Sequence, residues 1–176
     1  MTLYEFEGRK PAIGESSFIS ESATIIGSVE IGEGCFIAPG ARIRGDYGHI
    51  RIGDNTSIED NCVVHARPGE ECTIGEYVTI GHNATIHNCA VGDFAVIGMS
   101  GTVSDYAQVG KWAVVGEGAV VTNKQEIPPG KIAVGIPAKI IGDVSEEYKE
   151  QWKSFKEIYV GFAKERYSKG LRRLSL

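Results

Sequence analysis

The sequence predicts an all-β parallel β-helix of short strands, ending in a C-terminal α-helix. Three observations carry that expectation. An aliphatic residue returns every six positions over most of the chain, a small residue sits four positions after it, and near Asp143 this pattern gives way to helical spacing. With 176 residues, 42% hydrophobic and 23% charged, the chain is long enough for one body with a sizeable core.

The aliphatic series runs through Ile19, Ile25, Ile31, Ile37 and Ile43, resumes at Ile52, Ile58 and Val64, then at Ile74, Ile80 and Ile86, and finishes from Val91 to Val121. Small or modest residues four positions later include Ala23, Cys35, Ala41, Cys62, Ala84, Ala95 and Ala107. This pattern makes the cysteines core spacers. No two of the four form a CxxC pair, so reduced, buried thiols are expected rather than a zinc ribbon or a redox motif. Eight aliphatic positions are followed directly by glycine, as at Ile31-Gly32 and Val109-Gly110, and these glycines are expected at corners that need permissive backbone angles. A strand of one hexapeptide cannot bury its own face, so successive coils must stack.

The register slips between Ile43 and Ile52, between Val64 and Ile74, and between Ile86 and Val91. The first two slips, in "RGDYGHIRI" and "HARPGEECTI", are expected to be loops leaving the solenoid. After Val121 the prolines of "NKQEIPPGKIAVGIPAKII" are expected to end regular coiling. From Asp143 onward, Asp143 and Glu146 can form a capping box, and Tyr148, Trp152, Phe155, Ile158, Tyr159, Phe162 and Tyr167 make an apolar stripe. The expected division is therefore a β-helix over 1–142 and an amphipathic helix over 143–176, packed on the β-helix or on a neighbouring subunit.

The net charge of −5 excludes an electrostatic footprint for nucleic acid or anionic lipid, and the "KGLRR" cluster from Lys169 to Arg173 reads as a solvated helix end. The opening "MTLYEFEGRKPAIGESS" has no apolar run, and no stretch reaches the length of a membrane span, so a cytoplasmic location is expected.

The six-residue period resembles the hexapeptide-repeat family. That resemblance implies three repeats per coil, nearly six coils of a triangular prism, and a left-handed path, where the usual crossover rule would give the opposite hand. On such a prism Ile43, Val64 and Ile86 share one face of successive coils. The residues directly after them, Arg44, His65 and His87, then form a column spaced by about 4.8 Å. Two imidazoles so spaced can reach one ion, because tetrahedral zinc needs donor nitrogens only about 3.3 Å apart. His82 lies on the preceding face, one coil above Asp60. Either it is unrelated to the column, or a second subunit presents its own His82 there, as a closed threefold homo-oligomer with heterologous contacts would allow. His49 has no such alignment and is expected to be a loop residue.

"RGD" at Arg44 to Asp46, "SIEDN" at Ser57 to Asn61, His65, "GHNATIH" from Gly81 to His87, "GIPAK" from Gly135 to Lys139 and the C-terminal helix together resemble the γ-class carbonic anhydrase family. "RGDYGHI" and "YEFEGRKPAI" are similar to its branch found with phenylacetate and carnitine metabolism. The resemblance implies a homotrimer in which His65 and His87 of one subunit and His82 of the next ligate zinc, with iron or cobalt as alternatives. It implies an intersubunit pair between Arg44 and Asp60, with Asp46 in the same network. Two positions depart from the family pattern: Glu59 stands where prototypes carry glutamine, and Gly161 where they carry an asparagine. Tyr159 matches a tyrosine that replaces that asparagine in related members. The prototype's acidic proton-shuttle loop is short here, leaving Glu70 and Glu71 as substitutes.

The function implied is reversible hydration of carbon dioxide at trimer interfaces, with Glu59, Arg44, Asp46, Asp60 and Tyr159 as the catalytic set beside the three histidines. Three rivals share the scaffold: a metal-dependent acyl-coenzyme A thioesterase, a hexapeptide acyltransferase that uses a histidine base without a three-ligand column, and a non-catalytic metal-binding accessory protein.

Overall fold

The computed structural model describes residues 2–174; Met1, Ser175 and Leu176 lie outside the described residues, and with the last two the end of the expected helical segment. The chain winds into a parallel β-helix of about seven turns in the left-handed form, followed by a single C-terminal helical segment. One face, here the helix face, stacks Phe18–Ile19, Phe36–Ile37, Ser57–Ile58, Thr79–Ile80, Val96–Ile97, Val114–Val115 and Lys131–Val134 in parallel, and Lys139–Asp143 closes it antiparallel. The histidine face carries Ile25, Ile43, Val64, Ile86, Val103 and Val121 in register. The third face carries Ile13, Ile31, Ile52, Ile74, Val91, Val109 and Ile127. These aliphatics point inward, and with the small residues four positions later they form one continuous core. All four cysteines lie in it as free thiols. Burial pushes Cys35 up to about 11 and Cys62 up to about 12, so both stay as unreactive thiols.

Coiling begins earlier and ends later than the repeat pattern suggests. Ile13 already packs on the core, and Ile127 and Ala133 are buried in it. Pro128 and Pro129 do not stop the coil because its N–H groups bond forward to the next coil, as Gly110 does to the Ile127 carbonyl. Pro128 has no further coil to donate to, so its missing N–H costs nothing there.

The eight glycines after the aliphatics have a different physical origin from the one expected. None has a positive φ. A Cβ at these positions would instead lie within 2.2–2.8 Å of the next coil, as at Gly75 against Asp93 and at Gly98 against the Glu117 amide. Close backbone approach excludes side chains there. The left-handed backbone at the corners falls two residues later, at Asn55, Tyr77, Asn83, Phe94 and Trp112, and at Asn61 and Asn88 on corners without such a glycine. Bulky residues are unfavourable in that region. Here they occupy one corner on successive coils, and their rings stack with centroids 5.1 and 4.7 Å apart, which offsets part of the strain.

The first register slip does not leave the solenoid. Arg42–Ile52 is one strand that runs around the corner between two faces beside Thr24–Ile31, with a bulge at Gly27/Val29. His49 is therefore a strand residue, with Nδ1 2.9 Å from Ser28 Oγ. The second slip is a true loop, between Val63–His65 and Glu71–Ile74.

The C-terminal helix spans Glu146–Gly161 and is capped by Ser145, whose hydroxyl accepts from the Tyr148 amide. Asp143 is not the cap; it ends the antiparallel strand, paired with Lys131. The packed stripe is also rotated from the expected one. Phe155 and Ile158 are 44% and 46% exposed, whereas Lys156 is 2% exposed and occupies the core-facing position between Trp152 and Val160. Its ammonium nitrogen donates to Thr79 Oγ1 at 3.1 Å and the Ala95 carbonyl at 3.3 Å and lies 5.4 Å from the centre of the Trp152 ring. Farther along, Tyr159, Phe162 and Tyr167 close over Phe18 and Phe36. Among the described residues no helix is long and apolar enough to cross a membrane.

Burial lowers Lys156 to about 7 from its ordinary 10.5. Between those values the unfolded chain holds a proton that the folded chain does not, so stability rises with pH across that window and the full penalty applies below about 7. Lys156→Met is expected to stabilise the fold at pH 6 by about 1 kcal/mol or more and to remove this rise; denaturant unfolding at pH 6 and pH 9 checks both.

Candidate metal centre on the histidine face

Strand register sets the site. Arg44 pairs with His65, and His65 with His87, on consecutive coils of the histidine face. The two imidazoles are half-buried, with His65 Nδ1 3.1 Å from His87 Nε2, close to the donor separation a tetrahedral ion requires. The remaining nitrogens are held by carboxylates. His65 Nε2 lies 3.1 Å from Asp46 Oδ1, and Asp46 also accepts from Arg44. His87 Nδ1 lies 2.7 Å from Asp105 Oδ1, and Asp105 is gripped through both oxygens by Arg67, at 2.7 and 2.9 Å. Carboxylates behind ligating histidines fix ring orientation and raise ligand basicity.

Asp105 and Arg67 were not anticipated. Asp105 occupies the coil above Asn88, and its amide-turn neighbour Tyr106 donates to the Asn88 carbonyl. Arg67 comes from the loop after His65. A carboxylate one coil beyond a candidate ligand was the available signal. Glu71, the first residue of the strand after that loop, pairs instead with Arg51 at 3.6 Å and His49 at 3.9 Å.

Electrostatics follow these contacts. The Arg67 hydrogen bonds hold Asp105 down at about 2, with His87 adding to the effect. For Asp46, burial raises the carboxyl but Arg44 and His65 outweigh it, leaving the group below its ordinary value. Burial lowers His65, against the raising effect of Asp46, which favours the neutral imidazole a metal requires.

His82 stands apart on the neighbouring helix face. Its Nδ1 is 2.9 Å from Asp60 Oδ2, and Glu59, Asp60 and His82 offer ligand atoms all within 4.8 Å of one another. Asp60 thus pairs with His82 within the chain, and Arg44 with Asp46. Glu59 is 3% exposed, its Oε1 has no hydrogen-bond partner among the described residues, and burial pushes it up to about 7 against the lowering influence of His82, Ser57 and Tyr159. Tyr159 lies beside it, raised to about 12 by burial and by the Glu59 charge. The five polar groups named from sequence therefore divide into two clusters: Arg44 and Asp46 with His65 and His87, and Glu59, Asp60 and Tyr159 with His82. Gly161 is the last α-helical residue before the helix passes into a π-helical turn at Phe162–Arg166 and a final α-helical turn at Tyr167–Gly170.

Replacing Arg67 by Leu is expected to let the Asp105 carboxyl titrate nearer its ordinary 3.8, which carboxyl-carbon NMR titration reads directly.

The pattern of bacterial transferase hexapeptide (six repeats) matches residues 10–45. γ carbonic anhydrase 2, mitochondrial, of Arabidopsis thaliana is 37% identical over 152 residues, 83% of this chain and 55% of that protein, so the chain spans about half its length. The carnitine operon protein CaiE of a Proteus strain is 33% identical over 87% of this chain and 77% of its own length. Among solved structures, a candidate acetyltransferase from Bacillus cereus superposes with a TM-score of 0.92 at 33% identity, covering 95% of this chain and 97% of that one. A hexapeptide transferase family protein from Anaplasma phagocytophilum gives 0.88 at 33% identity, covering 92% and 96%. A stacked histidine pair on a parallel β-helix and relatives of this extent place the chain in the hexapeptide-repeat family that includes the γ carbonic anhydrases and the CaiE carnitine operon proteins.

Proposed function

We propose that the protein is a zinc-dependent γ-carbonic anhydrase-like enzyme that hydrates carbon dioxide reversibly at the interfaces of a homotrimer. The single observation that carries this reading is the His65–His87 pair, 3.1 Å apart, with each outer nitrogen held by a carboxylate. Two ligands do not complete a zinc site, and His82 of the same chain is engaged with Asp60 on another face. His82 of a neighbouring subunit supplies the third ligand. The donor set fits a borderline-soft ion, zinc first, with iron or cobalt as alternatives. Zinc in a three-histidine site with one open position makes water nucleophilic near neutral pH.

The chain's own residues do the rest. Asp105, braced by Arg67, keeps the His87 Nδ1 proton in place so that Nε2 faces the ion. Asp46 does the same for His65, and Arg44 holds Asp46. The subunit that donates His82 also brings its Glu59, whose unpaired Oε1 accepts the proton released as bicarbonate forms. Asp60 orients His82 and is available to Arg44 across the interface.

The acetyltransferase and transferase descriptions of the two solved neighbours favour acyl transfer as the second reading. Such a transferase needs one basic histidine, which a single carboxylate-backed imidazole such as His82 with Asp60 would supply, and has no use for a second histidine stacked on the first with its own carboxylate.

Stopped-flow assay of the zinc-reconstituted protein is expected to show carbon dioxide hydration that His82→Ala abolishes; a fully metallated protein without hydration rejects the anhydrase reading. His65→Ala and His82→Ala subunits, each unable to build a site alone, are expected to regain some zinc when mixed and reassembled. No recovery after demonstrated subunit exchange sinks the shared site. Asp105→Asn is expected to weaken zinc binding by about 10–100-fold without unfolding the β-helix, measured by competition with a chromophoric chelator.

A further inference from the structure

Two of the four cysteines are neighbours in the core. Thr73 pairs with Ala90 on consecutive coils of the third face, and the Thr73 amide donates to the Cys89 carbonyl at 3.0 Å. The residues just before that pair, Cys72 and Cys89, therefore lie side by side in one inward column, between Ile50 on the coil below and Ala107 on the coil above. Neighbours in such a column have Cα atoms about 4.8 Å apart, inside the range of about 4.4–6.8 Å that a disulfide spans. The thiols already interact, with Cys89 donating toward the Cys72 sulfur. The same register excludes the other two cysteines as partners. Cys35 lies beside Thr56 on the next coil, and Cys62 between Ala41 and Ala84.

Cys89 also has an opening to solvent. It is 3% exposed and lines a surface cavity of about 200 Å³ together with Glu71, Asn88, Tyr106 and Gln108. A cavity of that size admits a small oxidant. It opens toward the third face, which a trimer joining the histidine face to a neighbour's helix face leaves uncovered.

We propose that Cys72 and Cys89 are a site of reversible oxidation, forming a disulfide that bolts their two coils together when a small peroxide reaches them. One thiol attacks the peroxide, the O–O bond breaks, and the sulfur becomes a sulfenic acid as water leaves. The second thiol attacks that sulfur, the S–O bond breaks, and a second water leaves. The pair loses two electrons and two protons, peroxide is reduced to two waters, and an added dithiol reverses the step by thiol–disulfide exchange. The bond sits where the loop after His65 rejoins the β-helix. Cys72 lies in the strand Glu71–Ile74 that follows the loop, and Asn88, next to Cys89, accepts from the Arg67 amide at 3.0 Å through Oδ1. The disulfide thus ties the exit of the loop to the corner that holds Arg67. It goes beyond the anhydrase reading and requires neither a metal nor a second subunit.

Hydrogen peroxide added to the reduced, folded, full-length protein tests this, with the remaining thiols alkylated after denaturation and the digest read by mass spectrometry. The expected result is a dominant Cys72–Cys89 cross-linked peptide, with Cys35 and Cys62 alkylated and the cross-link reversed by dithiothreitol. The oxidised protein is expected to unfold at a temperature higher by about 5 °C or more, because the bond constrains the unfolded chain. Cys72→Ala, which copies Ala107 of the same column and so fits the core, is expected to lose both the cross-link and the peroxide-induced rise. Four alkylated cysteines after peroxide treatment, cross-links that use Cys35 or Cys62 as often, or sulfinic acid at Cys89 with Cys72 still a thiol, overturns the proposal, as does an equal rise in Cys72→Ala.

Discussion

Everything in this molecule depends on the in-register hydrogen bonding of each coil to the next. Backbone groups bond forward and back at one interstrand spacing, so a residue at a given position of one coil lies directly over its counterpart in the coil below. The six-residue repeat supplies the inward aliphatics, and the small residues between them allow the turns to close around a dry core. Glycines after the aliphatics permit the coils to approach without steric conflict. The constraint is unforgiving: a single side chain in the wrong column would separate the backbones that hold the column together.

That same stacking explains why the histidines crowd in sequence. A side-chain pair that is to reach one ion from a β-helix face must come from consecutive coils, about one turn of chain apart, and the candidate ligands His65 and His87 are placed that way. The stack also supplies the support: Asp46 sits on the coil below with Arg44, and Asp105 on the coil above, reached by Arg67 from the loop that the second register slip creates. What a single chain does not bring to the column is His82, whose face turns it toward Asp60. Closing a ring of identical subunits is the economical way to join the two faces, since each interface then makes one whole site.

The column was legible before any coordinates because register arithmetic converts sequence spacing into height and face. The same arithmetic fixed the core aliphatics and the buried cysteines. It failed where chemistry overrides pattern. Lys156 is absent from the apolar stripe drawn from the sequence, yet its long stem fills the core-facing position of the helix while Phe155 and Ile158 lie at the surface. The Asp105–Arg67 clamp joins residues 38 positions apart through a loop whose conformation no period encodes. The glycines were read as corners, although the corners use asparagine and stacked aromatics, and only the coil-to-coil distance shows what the glycines do. Prolines after Val121 read as a terminator because the direction of the ladder's N–H bonds is invisible in sequence.

The central claim, that two faces of different subunits share one metal, is tested most directly by locating zinc in crystals of the loaded protein through its anomalous scattering. The account predicts a peak between His65 and His87 of one subunit and His82 of the partner subunit, one per interface. A peak confined to Glu59, Asp60 and His82 of a single chain, or zinc bound by His65 and His87 with His82 remote from it, would contradict it.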